Sequence, residues 1–258
     1  MSSRSTSHTA CDSATARFKL CVVLSQSRMP LQTAAMTDEV LRLTLDRPNS
    51  LNALNVELLS RLASEISKAD GEYEVLIIEG AGDAFTAGAD LEEEESAGDL
   101  FQEITHAVRA FDGIVIGKLH GWVVGGGFEW TLSFDICYAA PDTTFKLTES
   151  EVGVTITNGS SLLLPMAIGS PKAKELIYTS RELDAREAEE LGLVAGVYDR
   201  TELDQQVRDV ALDLVENKSH TALRLNKHVL NHAADLDAVM EREEIVNEYC
   251  HEIEEMSW

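Results

Sequence analysis

The chain has 258 residues, 44% of them apolar, which is enough to bury a sizeable core, and no apolar run approaches the roughly 18 residues that a membrane span needs. Forty-five acidic against 21 basic side chains leave a formal charge of −24, and only eight of the cations are lysines. Such a surface repels nucleic acid, whose binding rests on neutralised phosphates.

Abundant carboxylates with scarce lysine fit a protein from a salt-accumulating halophile. In molar salt the Debye length shrinks to about 3 Å, so an anionic ligand is no longer turned away at long range. The runs Glu92-Glu93-Glu94-Glu95 and Glu252-Ile253-Glu254-Glu255 read as solvated faces. Cys11, Cys21, Cys137 and Cys250 show no paired spacing, so neither a zinc site nor a disulfide framework is expected. No metal, no membrane partner and a cytoplasmic location follow as expectations.

Residues 1–35 carry Arg4, Arg17, Lys19 and Arg28 against Asp12 alone, with frequent Ser and Thr. This composition suits a transit peptide; the reading adopted is an N-terminal extension, disordered or non-native, with the domain starting at Met36. From there Leu41, Leu43 and Leu45 alternate with Arg42, Thr44 and Asp46, the pattern of a half-buried strand. Asn55 is placed to cap a helix with the stripe Leu58/Leu59, Leu62 and Ile66. A strand over 74–79, a Gly/Ala-rich loop and a helix with Leu100, Ile104, Val108 and Phe111 follow. Strands are predicted at 114–119, 135–139 and 144–147, and helices at 159–168, 171–179, 185–191, 201–217, 220–233 and 236–255. Strands first and helices last imply an α/β core with a helical C-terminal layer.

Two segments stand out chemically. Gly125-Gly126-Gly127-Phe128-Glu129 follows the strand-like Trp122-Val123-Val124 and opens a helix. The glycines permit a sharp turn, the helix N-terminus offers amide N–H groups to developing negative charge, and Glu129 shares a face with Gly126. Gly80-Ala81-Gly82-Asp83-Ala84-Phe85-Thr86-Ala87-Gly88-Ala89-Asp90 ends another strand, and small residues there expose more backbone N–H. Together with Leu45-Asp46-Arg47-Pro48-Asn49-Ser50-Leu51-Asn52-Ala53-Leu54, residues 145–153 and 188–194, these motifs resemble the crotonase (enoyl-CoA hydratase/isomerase) superfamily, over about residues 40–230.

The resemblance implies a spiral of ββα units over 36–197 and a C-terminal helical region over 198–258 used for trimerisation, with Val207, Val210, Leu214, Ile245 and Val246 as intersubunit contacts. It implies an enoyl-CoA hydratase of fatty acid metabolism that acts on an acyl-CoA thioester, needs no cofactor, and forms a homotrimer or homohexamer. Ala89 and Gly126 map onto the oxyanion hole and Glu129 onto the first glutamate. The second is Glu149, reached alike by counting from Phe145 or from Gly153, with Glu151 as the residue a shifted loop would select. Coenzyme A contacts map onto Asn49, Ser50 and Leu51, onto Ala87, Ala89, Asp90, Leu91 and Glu92, and onto Gly126. A Δ3,Δ2-enoyl-CoA isomerase, which works with one carboxylate, or another thioester-enolate enzyme is the alternative, and a non-catalytic interaction protein a third reading. One departure concerns the acyl pocket: where many relatives have Pro-Gly-x-Gly-Gly-Thr, this chain reads Ile156-Thr157-Asn158-Gly159-Ser160-Ser161. Cys137 is expected to be a buried, inert thiol and His120 to be structural.

Overall fold

The alternating leucines of residues 40–45 form a strand, but not the first one. In the computed structural model, which describes residues 29–90, 94–231 and 236–256, β1 (Leu31–Ala35) runs antiparallel to β2 (Val40–Leu45), with Leu31 opposite Leu45 and Ala35 opposite Leu41. Leu31 is buried, the Asp46 N–H donates to the Pro30 carbonyl at 2.7 Å, and the Gln32 amide donates to the Asp46 carboxylate. The expected domain start at Met36 is therefore corrected: residues 31–35 belong to the sheet. Only Leu31 of β1 faces the core and the other four residues are exposed, so the strand has no hydrophobic alternation to read. Residues 1–28, the rest of the expected extension, lie outside the described residues.

β2 is followed by a 3₁₀ turn (Pro48–Ser50) and α1 (Val56–Ala69), which starts where Asn55 Oδ1 accepts the Leu58 N–H at 3.1 Å. Parallel strands β3 (Val75–Gly80) and β4 (Ile114–Leu119) are linked by α2 (Glu94–Ala110). With β6 (Ile136–Ala139) and β9 (Gly196–Val197) they complete a six-stranded sheet in the order β1-β2-β3-β4-β6-β9, parallel from β2 onward. The near-continuous apolar run of β3 is that of a strand buried on both faces. Leu76 and Ile78 pack with α1 on one face. Val75 and Ile77 pack with α8 (Arg200–Asn217) on the other.

That second face corrects one expectation. Val207, expected at a subunit interface, is buried against the chain's own sheet, and Val210 and Leu214 pack beside it. Ile245 and Val246 are exposed.

A smaller sheet consists of β5 (Trp122–Val124), β7 (Thr144–Lys146) and β8 (Leu183–Asp184). Single bridges from Thr86 to Val123 and from Leu54 to Ala89 extend it. The chain thus repeats one move: a strand in the large sheet, a short extended piece in the small one, then a helix. β2, Leu54 and α1 make one turn; β3, residues 86–89 and α2 the next; β4, β5 and α3 (Gly126–Thr131) the third; β6, β7 and α4 (Glu149–Val152) the fourth. This is the spiral of ββα units. The remaining helices are α5 (Ser160–Ile168), α6 (Ser170–Thr179), α7 (Ala185–Leu191), α9 (His220–Asn231) and α10 (Leu236–Met256). Among the described residues no helix is long and apolar enough to cross a membrane.

Candidate active site

The short pieces of the small sheet end side by side, and the segments of interest begin there. Gly125 leaves β5 with φ +53°, its N–H donating to the Lys146 carbonyl at 2.9 Å. A Cβ at this position would lie 3.2 Å from Thr148 Oγ1 and 3.3 Å from Glu149 Oε1, so both the positive φ and the closeness of Glu149 call for glycine. The Gly125 carbonyl accepts the Glu129 N–H at 3.0 Å. The trans peptide therefore turns the Gly126 N–H the opposite way, out of the N-terminus of α3, where the first turn has no intrahelical acceptor. Gly126 is half-buried while Gly127 and Phe128 are buried, so the turn opens at Gly126.

Residues 86–90 lie between Leu54 and β5. The Thr86 N–H donates to the Trp122 carbonyl at 3.0 Å, and the Val124 N–H donates to the Thr86 carbonyl at 3.1 Å. The Gly88 carbonyl accepts the Leu54 N–H at 2.8 Å. The Ala89 N–H belongs to that same peptide and so points away from Leu54, toward the side of β5 and Gly126. Two N–H groups at half-buried positions, Ala89 and Gly126, thus sit at adjoining segment ends.

Both expected glutamates are buried there, Glu129 at 1% and Glu149 at 6% exposure. Glu129 Oε1 accepts the Thr157 N–H at 2.8 Å and the Ser160 hydroxyl at 2.9 Å. Its Oε2 faces the Thr157 hydroxyl at 2.9 Å and the Asn158 amide at 3.4 Å. Burial, and next the charge of Glu149, push the Glu129 carboxyl well above the usual carboxylate range, against the pull of the Thr157 and Ser160 donors. A backbone N–H can only donate, so Oε1 stays an acceptor and any proton belongs on Oε2. Hydroxyls can turn to accept it. The buried Asn158 Oδ1 has no hydrogen-bond partner among the described residues, so an amide flip would also present an acceptor to Oε2. Glu151, two residues beyond Glu149, is half exposed and paired with Lys146 at 2.8 Å, away from this cluster.

The clamp formed by Thr157, Asn158 and Ser160 was not picked out by sequence reasoning, although the departure at residues 156–161 marked the place. Asn52 was also missed as a site-shaping residue. It is fully buried with φ +56°; its amide donates to the Ala81 and Ala84 carbonyls at 2.8 and 2.7 Å, and its carbonyl takes the Thr86 hydroxyl at 2.8 Å. It thereby sets the loop that ends in Ala89. Asp90 is held by Arg47 at 2.9 Å, and its N–H donates to the Leu54 carbonyl at 3.1 Å. Asn49, Ser50 and Leu51 are exposed, and the Leu51 carbonyl accepts the Ala87 N–H at 2.9 Å, so the two segments expected to meet coenzyme A adjoin. Leu91 and Glu92, and the side chains of both acidic runs, lie outside what the structure describes.

A cavity of about 760 Å³ lies on the far side of residues 154–161, lined by Ile156, Pro165, Ala173, Ile177 and Val246 among others, with Lys174 and Arg242 as its cations. Its lining includes none of Glu129, Glu149, Ala89 and Gly126. Among the described residues no group of three or more His, Cys, Asp or Glu could hold a metal. Cys137 is buried, its thiol pushed up to about 12, mainly by burial. His120 Nε2 contacts the Gly82 carbonyl at 3.0 Å, and burial holds its pKa below the ordinary value.

The family profile for enoyl-CoA hydratase/isomerase matches residues 35–255. The chain is 33% identical to the crotonyl-CoA hydratase of Syntrophomonas wolfei, over 77% of this chain and 81% of the relative. It is 32% identical to the short-chain-enoyl-CoA hydratase of Clostridium acetobutylicum, over 75% and 78%. Its fold matches the enoyl-CoA hydratase/isomerase of Pseudoalteromonas atlantica at a TM-score of 0.80 and 29% identity, covering 85% of this chain and 90% of that one. It also matches the monofunctional enoyl-CoA isomerase of M. smegmatis at 0.69 and 26%, covering 84% and 99%. With the ββα spiral, the profile match and these likenesses in hand, the chain belongs to the crotonase (enoyl-CoA hydratase/isomerase) superfamily.

Proposed function

We propose that the chain is an enoyl-CoA hydratase. The observation that carries this reading is the pair of buried carboxyl groups, Glu129 and Glu149, beside the N–H groups of Gly126 and Ala89. When water adds to an α,β-unsaturated thioester, its oxygen bonds to C3, C2 gains a proton, and negative charge passes through the thioester oxygen. The Ala89 and Gly126 N–H groups take that oxygen; one such donor is typically worth about 3–4 kcal/mol. One glutamate removes a proton from the attacking water while the other delivers one to C2, so the pair begins and ends the cycle with a single proton. Mutual repulsion and burial favour that singly protonated state. The backbone of Asn49, Ser50, Leu51, Ala87, Asp90, Leu91 and Glu92 takes the coenzyme A portion. Coenzyme A enters as part of the substrate, and no other cofactor is invoked.

An isomerase moves a double bond with one carboxylate, and burying Glu149 next to Glu129 would then be a cost without a use. The same cost speaks against a non-catalytic interaction protein. Exposed Leu225, Val229 and Leu230 on α9, with Ile245 and Val246 on α10, support self-association as a homotrimer or homohexamer. The acidic surface supports function in concentrated salt. The test is a panel of 2-enoyl-CoA and 3-enoyl-CoA thioesters in molar salt and isotopically labelled water. Label at C3 of a hydroxyacyl product supports the hydratase; double-bond migration without label would leave the isomerase.

A further inference from the structure

Leu236, Met240, Glu243, Asn247 and Cys250 recur at alternating spacings of four and three along α10, and so lie along one face of that helix. Leu236 and Met240 are buried. The other three side chains are polar, yet they too are turned inward onto residues 153–161. Glu243, at 7% exposure, accepts the Gly159 N–H and the Ser161 N–H, each at 2.7 Å. Asn247 Oδ1 accepts the Thr155 N–H at 2.8 Å and the Thr155 hydroxyl at 3.2 Å. Cys250 Sγ donates to the Gly153 carbonyl at 3.2 Å. Leu236 comes so close to Gly159 that a Cβ there would collide with it. α10 is therefore fastened at successive points along the segment that carries Thr157, Asn158 and Ser160.

The two N–H groups held by Glu243 flank Ser160, whose hydroxyl donates to Glu129. They belong to the start of α5, where the helix offers them no acceptor of its own. Without the carboxylate the buried Gly159 N–H lacks a partner and the Ser161 N–H loses its own, and the turn that aims Ser160 and Thr157 is free to move. We propose that Glu243 is a positioning residue: it fixes the turn whose donors orient the Glu129 carboxyl, so the C-terminal helix sets the geometry of the acid/base group. This inference rests on Glu129 working as proposed above.

Glu243 forms no ion pair among the described residues, although Lys174 of α6 and Arg242 line the same cavity. It acts as a hydrogen-bond acceptor. Glu129 itself is faced by Glu149 from α4 and by the donors at 157–160. Those donors favour its ionised form, so displacing them moves its titration to higher pH.

The experiment uses the full chain with Glu243→Ala, Glu243→Gln and Ser160→Ala. Two readouts are followed: the pH profile of kcat and KM, and an infrared difference titration of the Glu129 carboxyl, assigned by its loss in Glu129→Gln. Glu243→Ala is expected to lower kcat by about 10²-fold, as misplacement of a reacting group does, with little change in KM and with the Glu129 titration moved up. Glu243→Gln keeps one acceptor oxygen and recovers part of both. In a Ser160→Ala background the Glu243→Ala loss shrinks, because both act through one donor. A folded Glu243→Ala protein with an unmoved Glu129 titration overturns the inference, even if stability or rate has fallen. Should Glu243→Ala fail to fold, Glu243→Gln decides by the same criterion. The infrared titration needs no turnover, so a wild-type chain without hydratase activity would sink the proposed reaction while leaving this coupling to be read separately.

Discussion

Replacing Glu129 by glutamine changes one atom at the centre of the cluster and should move activity and stability in opposite directions. Glutamine keeps Oε1 for the Thr157 N–H and the Ser160 hydroxyl, at 2.8 and 2.9 Å in the wild type. Its Nε2 then faces the Thr157 hydroxyl, which can accept, and the Asn158 Oδ1 after an amide flip. The cluster survives and the titratable proton is gone. General acid/base groups contribute about 10²–10⁴-fold, so kcat should fall by that factor, about 3–5 kcal/mol of barrier, with thioester binding nearly unchanged. Stability follows from linkage. The folded Glu129 carboxyl titrates above its unfolded value of about 4.3. Between the two values the folded state binds more protons than the unfolded one, so wild-type stability falls as pH rises through that window. Glutamine carries no such penalty. Each pKa unit of displacement is about 1.4 kcal/mol, and in a chain of this size 1 kcal/mol moves Tm by about 2–4 °C. Glu129→Gln should therefore melt above wild type at pH 8 and level with it near pH 4. The assay pairs a hydration progress curve in molar salt with calorimetry at both pH values. Activity within about threefold of wild type, or a Tm difference that does not grow with pH, would refute the reasoning.

Glu149→Gln should also lower kcat by about 10²-fold or more, and the double variant should lose little beyond either single one, because both serve one proton transfer. Glu151→Gln, at a surface pair with Lys146, should leave the steady-state kinetics unchanged. Lys227 is 5% exposed, donates to the Val108 and Gly113 carbonyls at 3.0 Å each and pairs with Asp135 at 2.8 Å. Lys227→Met leaves the partly buried Asp135 without its cation and should lower the midpoint of a denaturant titration, with Asp135→Asn restoring part of it; an unchanged midpoint would contradict this. A chain beginning at Met29 should keep the fold, whereas one beginning at Met36 loses β1 and the burial of Leu31, worth about 2 kcal/mol, and should melt at a lower temperature.

Much was legible in the chain because it depends on neighbours in sequence. The leucine alternation of β2, the Asn55 cap and the apolar run of β3 are local patterns with a fixed period or a fixed offset, and the structure places them as read. The choice of Glu149 over Glu151 was likewise a matter of counting; in the structure Glu149 is buried and Glu151 pairs with Lys146. The spiral was not legible from periodicity, because its repeat lies in hydrogen bonding between segments as short as Leu54 and residues 86–89, with no recurring residue type. β1 escaped for a related reason: its identity comes from pairing with β2, and only one of its side chains is buried.

Tertiary structure alone decided what surrounds the carboxyl groups. Glu129 meets Thr157 and Ser160 about 30 residues on, and their neighbours Gly159 and Ser161 meet α10 some 80 residues further. No spacing rule links such positions; they adjoin because four strand–strand–helix turns bring the chain back on itself. The same packing turned Val207 inward onto the sheet rather than outward to a partner. Residue types and their order determined which groups were available for chemistry. Burial, like-charge proximity and donors from distant segments, which exist only once the chain is folded, determined how far the Glu129 carboxyl is pushed toward holding a proton.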